Sequence, residues 1–405
     1  MQVQINKFEK SLLIFTLIDI FFSPYVFFLA TTYSQFFVFL WFLLKDKKIF
    51  QRKELQFYYG ILFFIALSVP VSLFTIPDNL VGEFVVDNLK RGLAIGMAIS
   101  YYFFFSYMLK SKEIKLEKWM FAFLIYITLW GVLYFINTNV FLGLKRIFNP
   151  HDSTLGNLTR QFYFYRFNFI WTDPNNIGYT LVGVVAFLIM NKKSSNIILI
   201  ISIITLLFNL LLIMSGGTIL TALLIIPLAV LIRLKNRVNL KSVIMLILSL
   251  VIIFYLTNKF SNQFTGTKIG KAAFTRLDDK TKKEEPRLRI WKRAFESKNI
   301  FPYVFAGEGS NLFINGKHFS PHSGHLMFIF GYGFICYYMY MYLFFRKIQT
   351  QKWADLLLTV PFLACFTLNI GIGELKYAAI MYMLIAYSRI KIQEPQFMVN
   401  QKMLV

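Results

Sequence analysis

Two stretches of the 405-residue chain gather cations, imidazoles and helix-starting residues in a way that suits the handling of a large anion. The first is Arg166-Phe-Asn-Phe-Ile-Trp-Thr-Asp173-Pro174-Asn175, which runs into an apolar segment. An Asp followed by Pro opens a helix, with Pro174 at the first helical position. The N-terminus of a helix presents unpaired N–H groups and the positive end of the dipole. With Arg160 and Arg166 close by, that end becomes an anion site, since guanidinium forks match phosphate oxygens. The ordinary alternative is a capped helix with aromatic residues at a membrane interface.

The second stretch is longer. It starts with Arg287-Leu-Arg289-Ile-Trp291, where Arg287 precedes Trp291 by four residues and shares its helical face. Lys292 and Arg293 suit a solvated face. Gly307-Glu-Gly309 follows, with the spacing of a turn, and then Pro321-His322-Ser-Gly-His325. A histidine near arginines at a membrane–water boundary suits proton transfer at neutral pH. His318, His322 and His325 could suggest metal, but no acidic or cysteine ligand stands at matching spacing. The expectation is no metal and no cofactor.

The elements that must position these residues are membrane spans. The chain is 57% hydrophobic, 19% aromatic and only 16% charged, with a mean hydropathy of +0.57. A soluble domain carries roughly 25% charged residues, so a soluble enzyme, a disordered chain and a disulfide scaffold are excluded. Continuous apolar runs favour helices over a barrel. The expected class is an all-α polytopic membrane protein, one integral membrane domain over 1–405 with about twelve spans. They fall near 11–30, 32–44, 57–76, 92–109, 119–137, 175–190, 196–213, 218–232, 242–258, 323–345, 354–370 and 375–388.

The formal charge is +23, and the basic residues sit mainly between apolar runs, which points to anionic lipid headgroups rather than nucleic acid. Every even-numbered connection is basic, from Lys45, Lys47 and Lys48 to Arg389 and Lys391. This places both termini in the cytoplasm. Two long connections then fall outside, 138–174 and 259–322, the second between spans nine and ten. The latter is expected to be partly helical from Pro286 on, after a solvated linker over 278–285. Cys336 and Cys365 lie in apolar runs and indicate neither redox compartment nor metal. Asp19 and Glu374 stand out as ionisable residues in or beside spans. A coupled transporter needs several such groups at mid-depth, so their scarcity favours chemistry at the outer face.

The chain resembles the O-antigen ligase and Wzy-type polysaccharide polymerase superfamily. The resemblance rests on Arg166 with Pro174-Asn175, on Arg287 with Trp291, and on Gly307, Gly309, His322, Gly331 and Gly333, in that order. Phe169 stands where members often have Gly, and Ser323 where Asn often follows the histidine. The resemblance implies a bacterial cytoplasmic-membrane enzyme, active at the outer face, that joins glycans carried on polyprenyl diphosphate. The expected reaction is metal-independent, inverting glycosyl transfer by a polymerase of oligosaccharide repeat units. The alternatives are an O-antigen or other glycan ligase, or a lipid-linked oligosaccharide flippase. His322, Arg287 and Arg166 are the expected catalytic residues. Arg160, Arg91, Arg289, Asp173, Asn175 and His325 are expected to bind the diphosphate and glycan. Implied partners are the polyprenyl-diphosphate donor, a glycan acceptor, membrane lipids, and chain-length regulator and flippase proteins.

Overall fold

The computed structural model describes residues 4–25, 31–111, 113–150, 166–191, 194–234, 286–298, 301–314, 316–345, 353–368 and 374–402. The ninth expected span, Arg160 and the linker over 278–285 lie outside the described residues, as does the Arg287 side chain. The helices are α1 (Lys7–Phe22), α2 (Tyr33–Leu44), α3 (Arg52–Ser72), α4 (Val81–Met108), α5 (Leu116–Ile136), α6 (Thr138–Phe148), α7 (Pro174–Met190), α8 (Asn196–Ile213) and α9 (Gly216–Arg233). After these come α10 (Pro286–Ser297), strands β1 (Leu312–Ile314) and β2 (Lys317–Phe319), and then α11 (Gly324–Tyr332), α12 (Phe334–Phe345), α13 (Trp353–Leu368) and α14 (Leu375–Lys402).

Five helical stretches are long and apolar enough to cross a membrane: Arg52–Ser72, Asp78–Ser111, Leu116–Ile136, Asn196–Ile213 and Gly216–Arg233. Tyr33–Leu44, Pro174–Met190, Phe334–Phe345 and Leu357–Thr367 are shorter apolar helices. Several of these helices turn large apolar side chains outward, with Leu129 63% exposed and Ile204 and Leu220 each 60%. Contiguous apolar surface of this kind needs lipid, not water, around it. The chain is an all-helical membrane protein apart from one short hairpin among the described residues.

α7 occupies the centre. All its residues except Asn175 are buried, and it packs against α5, α8, α9, α13 and α14. A helix apolar on every side belongs in such a position. A second group surrounds α4, which packs on α2, α3 and α14.

Several boundaries differ from the hydropathy pattern. α1 stops at Phe22, because Pro24 forces Ser23 into an extended conformation (φ −76°, ψ 157°). α4 begins at Val81, well before the apolar run, and its first turns carry Asp87, Asn88, Lys90 and Arg91. The 138–174 connection contains a helix, α6, which buries Phe141 and Lys145. The tenth expected span is two helices, broken at Gly333 with φ 94°.

The Gly-x-Gly pairs explain that break. Glu308 N–H donates to the Phe330 carbonyl (2.9 Å) and Gly309 N–H to that of Gly331 (2.8 Å). A Cβ on Gly307 would lie 2.1 Å from the Gly331 carbonyl carbon. Gly309 itself has φ 84° and would drive a Cβ into Asn88. The glycines therefore let two backbones touch; they are not the simple turn that their spacing suggested. Over this crossing a small separate core forms from Ala294, Tyr303, Leu312, Ile314, Leu326 and Phe330, with Trp291 and Phe319 against it. β1 and β2 pair antiparallel, Leu312 opposite Phe319 and Ile314 opposite Lys317. We call this side of the bundle the hairpin end.

Candidate active site

The first arm of the site is the N-terminus of α7. Asp173 caps it, accepting from Asn175 N–H at 2.6 Å, with Pro174 in the first turn. Arg166 is 5% exposed. Its Nε donates to the Ile213 carbonyl (3.1 Å) and its Nη2 to Asn175 Oδ1 (3.1 Å). Ser215 Oγ donates to the same Asn175 oxygen (2.7 Å). One guanidinium thus joins the C-terminus of α8, where a cation is favoured, to the N-terminus of α7, where anions bind.

The loop before α7 is held from several sides. Phe167 N–H donates to Leu212 O (3.0 Å), and Asn149 Nδ2 donates to Ile170 O (2.8 Å). The buried Lys145 ammonium donates to Asn168 Oδ1. Thr172 donates to Glu374 Oε2 through its backbone N–H (2.9 Å) and through its hydroxyl (2.5 Å). Burial pushes the Glu374 carboxyl up to about 7, against the pull of the Thr172 bond and the Lys376 charge. Phe169 adopts φ 53° with its ring fully buried against Phe123, Tyr126 and Trp130. Phe169 thus holds left-handed backbone, and packing keeps a Phe in it.

The second arm is the turn before α11. His322 is exposed and also left-handed, with φ 48°. Trp291 of α10 fixes the turn by donating its indole N–H to the Pro321 carbonyl (2.9 Å). Ser323 is the N-cap of α11, and the Met327 N–H donates to its carbonyl (2.9 Å). His325 bonds Tyr337 OH through Nδ1 and Thr367 Oγ1 through Nε2, each at 3.0 Å. Its ring meets Phe366 edge-on, centroids 4.7 Å apart.

The end of α13 lies between the arms. Cys365 Sγ lies 3.4 Å from Asn176 Oδ1, Phe366 covers Gly324, and Thr367 reaches His325. The N-termini of α7 and α11 therefore flank one helix end. The structure brings together Arg166, Asp173 and Asn175, and separately Trp291, His322 and His325, with residues 365–367 bridging the two groups. Arg91 stands elsewhere, in an ion pair with Asp87 (2.7 Å). Asp87 Oδ2 also accepts from Asn311 Nδ2 (2.8 Å). Arg289 is exposed on α10. Arg166, Arg91 and Arg289 thus occupy three settings. His318 stands apart from His322 and His325, stacked on Phe84 with centroids 5.8 Å apart. Partial burial, with the Arg91 charge, lowers the His318 pKa, and Asp87 opposes this.

Sequence reasoning missed Lys376. Its buried ammonium donates to the Asp19 carbonyl (2.5 Å) and the Ser23 carbonyl (2.7 Å), closing the C-terminus of α1. Glu9, Glu54, Lys145 and Arg389 are also buried. Most of these are hidden at helix ends, where carbonyls and opposite charges satisfy them, so they are not the mid-depth groups whose scarcity was expected. A lysine in the first turn of a span was the available signal. No family model matches this chain, and no curated protein matches it.

Proposed function

We propose that the chain is a polysaccharide polymerase of the bacterial cytoplasmic membrane, joining polyprenyl-diphosphate-linked oligosaccharides at the outer face. This reading takes about twelve spans, with both termini cytoplasmic and the hairpin end outward. An acceptor hydroxyl attacks the anomeric carbon, the glycosidic bond forms, and the lipid diphosphate leaves with the bonding pair. The departing charge needs cations and helix N-termini fixed in advance. Arg166 and the start of α7 supply one such group, with Arg287 and Arg160 as further candidates. His322 takes the hydroxyl proton. A ligase, with another acceptor, would use the same groups.

The observation that carries the reading is the Trp291–Pro321 hydrogen bond at 2.9 Å. It ties the Arg287-x-x-x-Trp291 segment to the His322 turn across 30 residues of sequence. Reconstitution with a defined polyprenyl-diphosphate oligosaccharide, with and without a chelator, tests it. The expected result is chelator-resistant polymer that disappears in Arg166→Ala, Arg287→Ala and His322→Ala protein that still inserts. Normal polymer from all three variants rejects the assignment. A second reading, a lipid-linked oligosaccharide transporter, draws on buried Asp19, Lys376 and Glu374. It predicts movement of labelled substrate between leaflets with no new glycosidic bond.

A further inference from the structure

Helix α6 carries a surface that the proposed chemistry does not use. Its 11 residues reach about 16 Å. A bilayer has about 30 Å of hydrocarbon, so α6 cannot cross one. It is also a helix in its own right. Asn137 breaks the chain after α5 with φ −147° and ψ 87°, and its side chain then caps α6 by accepting from the Val140 N–H (3.1 Å).

The residues of α6 fall into three strips, each with the i, i+4, i+7 spacing of one helical face. Phe141, Lys145 and Phe148 face protein. The Phe141 ring meets Tyr134 (5.1 Å between centroids) and Phe167 (5.5 Å), and Phe148 meets Trp130 (5.2 Å). Asn139, Gly143 and Arg146 are exposed and carry no aliphatic side chain. Val140, Leu144 and Ile147 are 48%, 36% and 66% exposed, and all three are aliphatic. Water suits the second strip but not the third, where a row of apolar side chains stands open. The third strip extends a surface that already faces lipid. On α5, Leu129, Val132 and Ile136 are exposed at i, i+3, i+7, up to the last residue before the Asn137 break. A short helix with one strip for protein, one for lipid and one for water belongs at the headgroup boundary, where the three meet. Arg146 fits that height, since its stem can lie along apolar surface while the guanidinium reaches lipid phosphates.

We propose that α6 is a membrane-surface helix whose Val140, Leu144 and Ile147 lie among the acyl chains of the leaflet beside the candidate site. Its partner is bilayer lipid. The inner strip and the residue after it hold the loop before α7, Lys145 through Asn168 and Asn149 through the Ile170 carbonyl (2.8 Å). α6 therefore ties the loop that carries Arg166 to the lipid surface. The assignment needs only the membrane class of the chain and stands whether or not the glycosyl-transfer reading does. Single cysteines at 139, 140, 144, 146 and 147, with Leu129→Cys as the lipid-facing reference, carry a nitroxide label in the intact chain. Cys336 and Cys365 are buried, so labelling is confined to the introduced thiol. The proteins are placed one per nanodisc of phosphatidylglycerol and phosphatidylcholine, and collisions with oxygen, which concentrates in the acyl layer, are compared with collisions with a water-soluble nickel chelate. The oxygen-to-nickel ratio at 140, 144 and 147 should match that at 129 and exceed that at 139 and 146 several-fold. Unchanged melting temperatures check that each labelled protein is folded, and two of the three apolar positions suffice for the comparison. The idea is overturned if those positions give the low ratio of 139 and 146, which means water. It is equally overturned if both relaxants are excluded there, which means that protein covers the strip.

Discussion

The two arms of the candidate site are built in opposite ways. The α7 arm is buried: Arg166 and Asn175 spend their hydrogen bonds on the ends of α8 and α9, and Glu374 and Lys145 brace the loop behind them. The His322 arm is an exposed turn fixed to α10 by one indole. The contrast suggests a division of labour. A rigid cationic wall fits a diphosphate whose charge must be met without rearrangement. An exposed imidazole fits an acceptor that arrives in varying poses.

Breaking the buried arm should have the largest effect. Arg166→Ala takes the guanidinium donor from the Ile213 carbonyl in a buried setting and leaves Asn175 with Ser215 alone on its oxygen. Such a loss costs roughly 3 kcal/mol. Polymer should fall below detection, and the melting temperature should drop by several degrees. Arg166→Lys separates the two effects. It keeps the charge but cannot bridge both partners, so stability should recover more than activity. Equal recovery of both would erase the distinction between wall and scaffold.

Glu374 tests the bracing behind the wall through pH. Its folded pKa of about 7 lies above the ordinary 4.5. A raised carboxylate pKa means that the folded state holds the proton more tightly. Its contribution is fully present below pH 4.5 and is lost as pH rises to about 7. At about 1.4 kcal/mol per unit, the loss across that window is on the order of 3 kcal/mol. Melting of the parent protein between pH 4.5 and 7 should show this fall. Glu374→Gln keeps an acceptor for Thr172 and should flatten the profile. An unchanged slope in that variant would locate the titration elsewhere.

Trp291→Phe is the next smaller change and acts on the other arm. The ring stays in the small core, while the N–H to Pro321 is lost, at a cost of about 1 kcal/mol. Activity should fall more than that suggests, because the turn would no longer hold His322 in register with α10. Matched losses in activity and stability would make the indole ordinary packing.

Much of the frame was legible because hydropathy reads lipid exposure directly. The expected span over 196–213 coincides with α8. Legibility failed where polar residues face protein rather than water. The start of α4 carries Asp87 and Asn88, and both bond the hairpin segment through Asn311, so the helix extends beyond its apolar part. Arg166, Asp173 and Asn175 could be grouped from sequence because a helix cap brings neighbours together. Arg91 could not be placed, since its partner Asp87 is one turn away on the same helix and competes with any distant anion. The Gly-x-Gly pairs have a spacing that any turn would share, and only the crossing of two chain segments gives it meaning.

The smallest expected effect discriminates most sharply between the arms. Phe169 and His322 both hold left-handed backbone, at φ 53° and φ 48°. Glycine removes the conformational penalty at such a position, a gain of about 1 kcal/mol. At Phe169 that gain is swamped, because the variant empties a fully buried ring site, and large buried aromatics cost about 3–5 kcal/mol to remove. At His322 the ring is exposed, so less packing opposes the gain than at Phe169. His322→Gly should therefore melt slightly higher than the parent protein while making no polymer. That pairing would mean strain is held at this turn for the sake of the imidazole. If His322→Gly instead melts lower, the imidazole is a structural member of the turn, and the contrast between a buried and an exposed arm fails at its second half.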